Sequence, residues 1–157
     1  MQVDHKIADA KLRLSGYLVV NQFLAAQHSL RRAFNLDPED LLIVLTVALG
    51  SVQRMLRDPD PEGLVISASL VEQDRIVPVS RRAIARSLDL PRETVRRRTM
   101  ALVERGLLLE WDRGLRTARR LVIMPAIREA IHELLESAAG TSRVLLREGV
   151  LHDGAMV

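Results

Sequence analysis

Apolar positions recur at helical intervals along most of the chain. Residues 7–34 contain no proline and one glycine, and Leu12, Leu14, Leu18, Val19, Phe23, Ala26 and Leu30 recur at mixed helical spacing. The spacing predicts one long helix with Gly16 as the place for a kink. Asn35-Leu36-Asp37-Pro38 ends it. Asp37, Pro38 and Glu39 then supply a cap, a proline at the first helical position and an acid in the first turn, which predicts a second helix to about residue 57. Its stretch 41–49 is apolar nearly all round, as expected of the most buried helix.

Residues 58–63 read Asp-Pro-Asp-Pro-Glu-Gly and form a loop. Their acids and glycine match the start of a calcium loop. However, the twelfth position is Ser69, where a bidentate glutamate is needed, so the segment reads as a capped loop. Residues 64–73 fit helix or strand. Residues 76–79 are extended, because residues before Pro78 avoid the helical region. Ser80 caps a short helix over 81–88, residues 89–91 break the chain, and a further helix runs to about 105. Gly106 is placed for a left-handed helix end. Residues 107–111 and 121–124 read as two strands, with Asp112-Arg113-Gly114 as the hairpin material between them. Pro125 opens a last helix to about 139, striped by Ile127, Ile131, Leu134 and Leu135, and 141–148 can add a short one.

The predicted class is mainly α with a small β-hairpin. Three segments are expected: supporting or dimerising helices over 1–62, a central module over 63–124, and a C-terminal helix and tail over 125–157. The chain has 157 residues, enough for a core without disulfides or metal. It has no cysteine, which excludes thiol nucleophiles and cysteine-ligated metals and suits a reducing cytoplasm, the expected location. The start of the chain lacks a signal-peptide layout, and the longest apolar stretch is far below the ~20 residues of a membrane span, so no membrane association is expected.

Tyr17, Phe23, Phe34 and Trp111 are too few aromatics for the base-stacking platforms of single-strand binders. The four histidines are scattered, and no HExxH, GxSxG, P-loop or GxGxxG occurs. His132-Glu133 reads as a solvated or interfacial pair. No catalytic residue, metal or cofactor is therefore expected.

Charge changes this picture. The net charge is +3, but residues 80–120 hold twelve arginines against five acids, a balance of +7. The other 116 residues carry eleven basic and fifteen acidic side chains, or −4. Such a block is the electrostatic footprint of a polyanion site. Acids at i,i+4 do not balance it.

The block coincides with SRRAIARSLDLPRETVRRRTMALVERGLLLE, residues 80–110. Ile84 and Leu88 give the first helix an inner face, Ala85 is small where helices approach, and Leu90 plugs the turn. Val95, Leu102 and Val103 hold the second helix down, which leaves Arg92, Thr94, Arg96, Arg97 and Arg98 largely outside. A hairpin follows at once. This stretch resembles the winged helix-turn-helix of bacterial transcription regulators of the Crp, GntR and MarR types. The likeness covers about residues 76–124, under a third of the chain. It departs at Pro91, where such motifs often place a serine cap, and at Arg98 and Thr99, where they are usually apolar or small. Arg98 can instead lay its stem against a neighbouring helix.

The resemblance implies sequence-specific binding of double-stranded DNA, with a reading helix over about 91–105 and a wing over 107–124. Arg92, Thr94, Arg96 and Arg97 would face base edges, where an arginine can fork onto guanine. Ser80, Arg81 and Arg82 would meet phosphate at the start of the scaffold helix. Arg113 and Arg116 would reach phosphate or the minor groove from the wing, and one of Arg119 and Arg120 would face DNA. The flanking helices exceed what such a module needs. Their apolar faces either build a homodimer or close a monomeric core. An apolar effector pocket between them has no convergent polar groups to support it. The competing reading is a non-catalytic adaptor that uses the same module for protein contact.

Overall fold

The computed structural model describes residues 1–57, 76–118, 121 and 124–152. Elements follow in the order β1 (Gln2–Val3), α1 (His5–Ala10), α2 (Leu12–Phe34), α3 (Pro38–Leu56), α4 (Arg81–Leu88), α5 (Arg92–Glu104), β2 (Leu108–Trp111), β3 (Gly114–Thr117), α6 (Pro125–Arg147) and β4 (Leu151–His152). The class is mainly helical with small antiparallel strand pairs. No helix among the described residues is long and apolar enough to cross a membrane. The predicted loop at 58–63, the ambiguous stretch 64–73 and Ser69 lie outside the described residues, as do Arg119, Arg120, Val122 and Ile123.

The chain divides into two compact units, 1–33 with 129–157, and 34–128. In the first, β1 pairs antiparallel with β4, Val3 opposite Leu151. Asp4 caps α1 by accepting from the Ile7 amide at 3.0 Å. The predicted kink lies at Lys11 rather than at Gly16. Lys11 leaves helical geometry (φ −112°) while its ammonium bonds the Glu148 carbonyl and carboxylate at 3.0 and 2.9 Å. Gly16 continues α2, because a mid-helix glycine costs only about 1 kcal/mol against alanine.

α2 and α6 run antiparallel along a polar seam. Gln22 Oε1 accepts from Ser137 and Thr141 at 2.9 and 3.1 Å. Glu133 accepts from Ser29 and from Arg32, the latter at 2.7 and 3.0 Å, and these partners hold its carboxyl below the usual range, Ser29 most of all. The predicted interruption at Gly140 is absent, and α6 is one helix through Arg147. The Thr141 bond to Gln22 lies just past the glycine and helps offset its cost. α6 ends at Gly149 (φ +75°), where the Val150 amide reaches back to Leu145 at 2.9 Å.

The second unit holds most of the core. On α3, Leu41, Ile43, Val44 and Val47 are no more than 1% exposed, and they share the interior with Ile84, Val95, Leu102, Leu108 and Leu115. α3 therefore belongs with 34–128, whereas the sequence pattern had grouped it with 1–62. It is not buried all round, since Leu42, Leu49 and Leu56 stay 41–58% exposed. α4 ends at Asp89 in the left-handed region (φ 53°), with the Leu90 amide closing onto Ala85 at 3.0 Å. α5 ends at Gly106 (φ +72°), with the Leu107 amide on Leu102 at 3.0 Å.

β2 and β3 pair Leu108 with Thr117 through Trp111 with Gly114, joined by Asp112 and Arg113. The return strand is thus 114–117, not 121–124. Asp112 takes a positive φ and reverses the chain within two residues. Leu121 is buried but lies in turns, its amide on Ala118 and its carbonyl accepting from Met124. Extended residues 76–79 add a bridge in which Val79 and Leu115 exchange hydrogen bonds of 2.8 and 2.9 Å. Gly114 is required beside it, since a Cβ there would lie 3.0 Å from both Pro78 and the Val79 backbone.

Candidate nucleic-acid interface

α5 is fixed on three sides and open on the fourth. Val95, Thr99 and Leu102 recur at helical spacing and are fully buried. Arg98 takes another side. Its guanidinium bonds Asp37 and Asp40 at 3.0 and 2.8 Å and pairs with Glu39, all in the first turn or cap of α3. Arg98 is therefore no outward-facing residue: it ties α5 to α3, and these acids raise its pKa, Asp40 most of all. The open side carries Arg92, Glu93, Arg96, Arg97 and Met100, all exposed. Thr94 is half-buried at its edge.

The predicted base-facing arginines differ in state. Arg96 is held by Glu93, one turn back, through bonds of 2.8 and 2.7 Å, and touches the Met100 sulfur at 3.0 Å. The pair lowers the Glu93 pKa. Glu93 thus balances Arg96 at i,i+3 and also stands at i,i+4 to Arg97. Arg92 and Arg97 make no salt bridge among the described residues, although the Arg97 charge also helps to lower the Glu93 pKa. Pro91 precedes α5 without a side-chain cap, which leaves the first amides of the helix open.

The predicted phosphate contacts also divide. Ser80 spends its hydroxyl on the Ala83 amide at 3.1 Å, as the cap of α4. Arg81 is not free for phosphate: it donates to Thr99 Oγ1 at 2.9 Å and to Glu110 at 2.5 Å, joining α4, α5 and β2. Arg82 is exposed, and so is Arg113 in the hairpin turn. Arg116 departs most from expectation. It is 6% exposed and lies 4.0 Å over the Trp111 ring, so it braces the hairpin rather than its tip. Arg119 lies outside the described residues.

Comparison of the chain with protein families, curated proteins and solved structures gives no match. Exposed arginines with no salt bridge among the described residues of these elements include Arg82, Arg86, Arg92, Arg97 and Arg113.

Asp37 offers a check on the α3–α5 junction. Its Oδ1 accepts from the Glu39 and Asp40 amides at 2.9 Å. The Asp40 amide first, and then Arg98, hold its pKa below the ordinary carboxylate value. A pKa lowered on folding contributes stability that is present above about pH 4 and lost as pH falls through the folded value. Asp37→Asn keeps the capping oxygen but loses the charge. It should lower the melting temperature at pH 7, and the difference from wild type should close as pH falls through the lowered Asp37 value. A pH-independent difference in thermal melts would mean that the charge at Asp37 is not what stabilises the junction.

Proposed function

We propose that residues 76–118 form a winged helix-turn-helix that binds double-stranded DNA, with α5 in the major groove and the β2–β3 hairpin on the backbone, and that the chain regulates transcription by occupying a DNA site. The carrying observation is the open side of α5. The core and Arg98 use its other sides, while the exposed side presents Arg92 and Arg97, neither held in a salt bridge among the described residues. The major groove accepts one helix, and residues near its start meet base edges. Arg82 and Arg113, at the start of α4 and in the hairpin turn, suit phosphate on either side.

Salt tests this reading. Each neutralised phosphate releases counterion, so four contacts should cost roughly 100-fold in affinity between 50 and 200 mM salt. Fluorescence anisotropy of the full chain on random-sequence duplex should show that slope. Absence of duplex binding at 50 mM would overturn the proposal. A protein-contact reading draws on Met100 and Trp111, 45% and 42% exposed. It predicts no duplex binding at any salt concentration.

A further inference from the structure

The unit formed by 1–33 and 129–157 is apolar on the wrong side. Its only fully covered apolar residues among those described are Ala130, Leu145 and Val150. Eleven of its large apolar side chains are exposed, seven of them on α2 from Leu12 to Leu24. The face that α2 turns to α6 is mostly polar and small instead: Gln22 and Ser29 bond across it, Ala25 lies between them, and Leu18 is its one large apolar side chain. Two helices joined by such a seam bury too little apolar surface to be stable alone.

α2 has a second seam, exposed from Leu12 to Phe23 and half-buried at Ala26 and Leu30. Leu12, Gly16, Val19, Phe23, Ala26 and Leu30 alternate at four and three residues, the spacing that keeps one stripe against a partner helix. It lies beside the seam facing α6, as in a helix with two neighbours in a bundle. The stripe is also symmetric about position 21. Leu12 mirrors Leu30, Gly16 mirrors Ala26, and Val19 mirrors Phe23. A two-fold axis across an antiparallel pair would bring each of these residues against its mirror, since residue i meets j while j meets i. The small pair Gly16 and Ala26 lets two backbones approach, and a Cβ built at Gly16 meets nothing within 4 Å.

We propose that the Leu12–Leu30 stripe of α2 docks on the same stripe of a second copy of this chain, antiparallel, so that two α2–α6 pairs form a four-helix bundle. Size agrees. Leu12, Val19 and Phe23 with neighbouring Tyr17, Val20 and Leu24 are 54–71% exposed and present on the order of 700 Å², close to the ~800 Å² per partner of a standard interface. The proposal is independent of DNA binding, since association is measured without DNA.

Sedimentation equilibrium at 1–50 μM should give the full chain twice its 17.6 kDa mass. Val19→Glu/Phe23→Glu should sediment as monomer with helical circular dichroism retained, and Leu42→Glu/Leu49→Glu, on the exposed side of α3, should stay dimeric. As the chain lacks cysteine, Phe23→Cys offers a second reading that needs no charged substitution. A short bis-maleimide should link its copies efficiently, and Leu49→Cys should link poorly. A wild-type monomer at 50 μM, a dimer that survives the α2 pair but not the α3 pair, or linkage at Leu49→Cys alone would each overturn the proposal.

Discussion

Arg97→Ala should lower affinity for a selected DNA site by roughly 10- to 100-fold while changing affinity for random duplex much less. A guanidinium forked onto a base edge contributes about 1–3 kcal/mol of discrimination, and a phosphate contact contributes mainly to the salt slope. Arg97 is the arginine for this test because it is exposed on the second turn of α5 and makes no salt bridge among the described residues, Glu93 acting on it only through charge at a distance. Arg96→Ala should cost less. Arg96 must first leave the Glu93 carboxylate and the Met100 sulfur, so part of any contact it makes to DNA is offset beforehand. Glu93→Gln releases that hold and removes a negative charge from the reading side. It should raise affinity for random duplex. Equal losses for Arg97→Ala on selected and random duplex in competition titrations would reduce Arg97 to a phosphate contact.

Arg98→Ala should destabilise the 34–128 unit by about 2–3 kcal/mol. The guanidinium is mostly enclosed, its side chain 25% exposed, and its removal leaves Asp37, Glu39 and Asp40 crowded together without a counter-charge. Breaking one side of a buried pair costs about 3–5 kcal/mol. Partial exposure of the acids and the positive end of α3 beside them bring the figure down. Arg98→Met keeps the stem and loses the charge, so it separates packing from pairing. Because the same side chain ties α5 to α3, both variants should also weaken binding to selected duplex at temperatures where they remain folded. Chemical denaturation shows the first effect, and anisotropy at low temperature shows the second. An unchanged denaturation midpoint in Arg98→Ala would mean that the cluster is surface decoration.

Much of the second unit was legible in the chain. Asp37-Pro38, Ser80, Asp89-Leu90 and Gly106 are local signals: a cap or a left-handed residue acts on its own few amides, so the sequence places them within a residue or so. The buried side of α5 followed from the spacing of Val95 and Leu102. What escaped depends on contacts distant in sequence. Lys11 breaks the first helix while its side chain holds Glu148, 137 residues away. The strand at 114–117 has one aliphatic side chain, Leu115, and owes its place to Val79 and to the absence of a Cβ at Gly114. Composition marked the arginine block, yet only tertiary structure divides it. Arg81, Arg98 and Arg116 hold the fold together, and Arg92 and Arg97 are left outward.

The central claim is that the open side of α5 reads bases. Selection of bound duplexes from a random library, run in parallel with wild type and Arg97→Ala, tests it most directly. The account predicts an enriched motif with guanine at one or more fixed positions and relaxation at such a position in the variant. Wild-type selection that returns the library with its starting composition would contradict it.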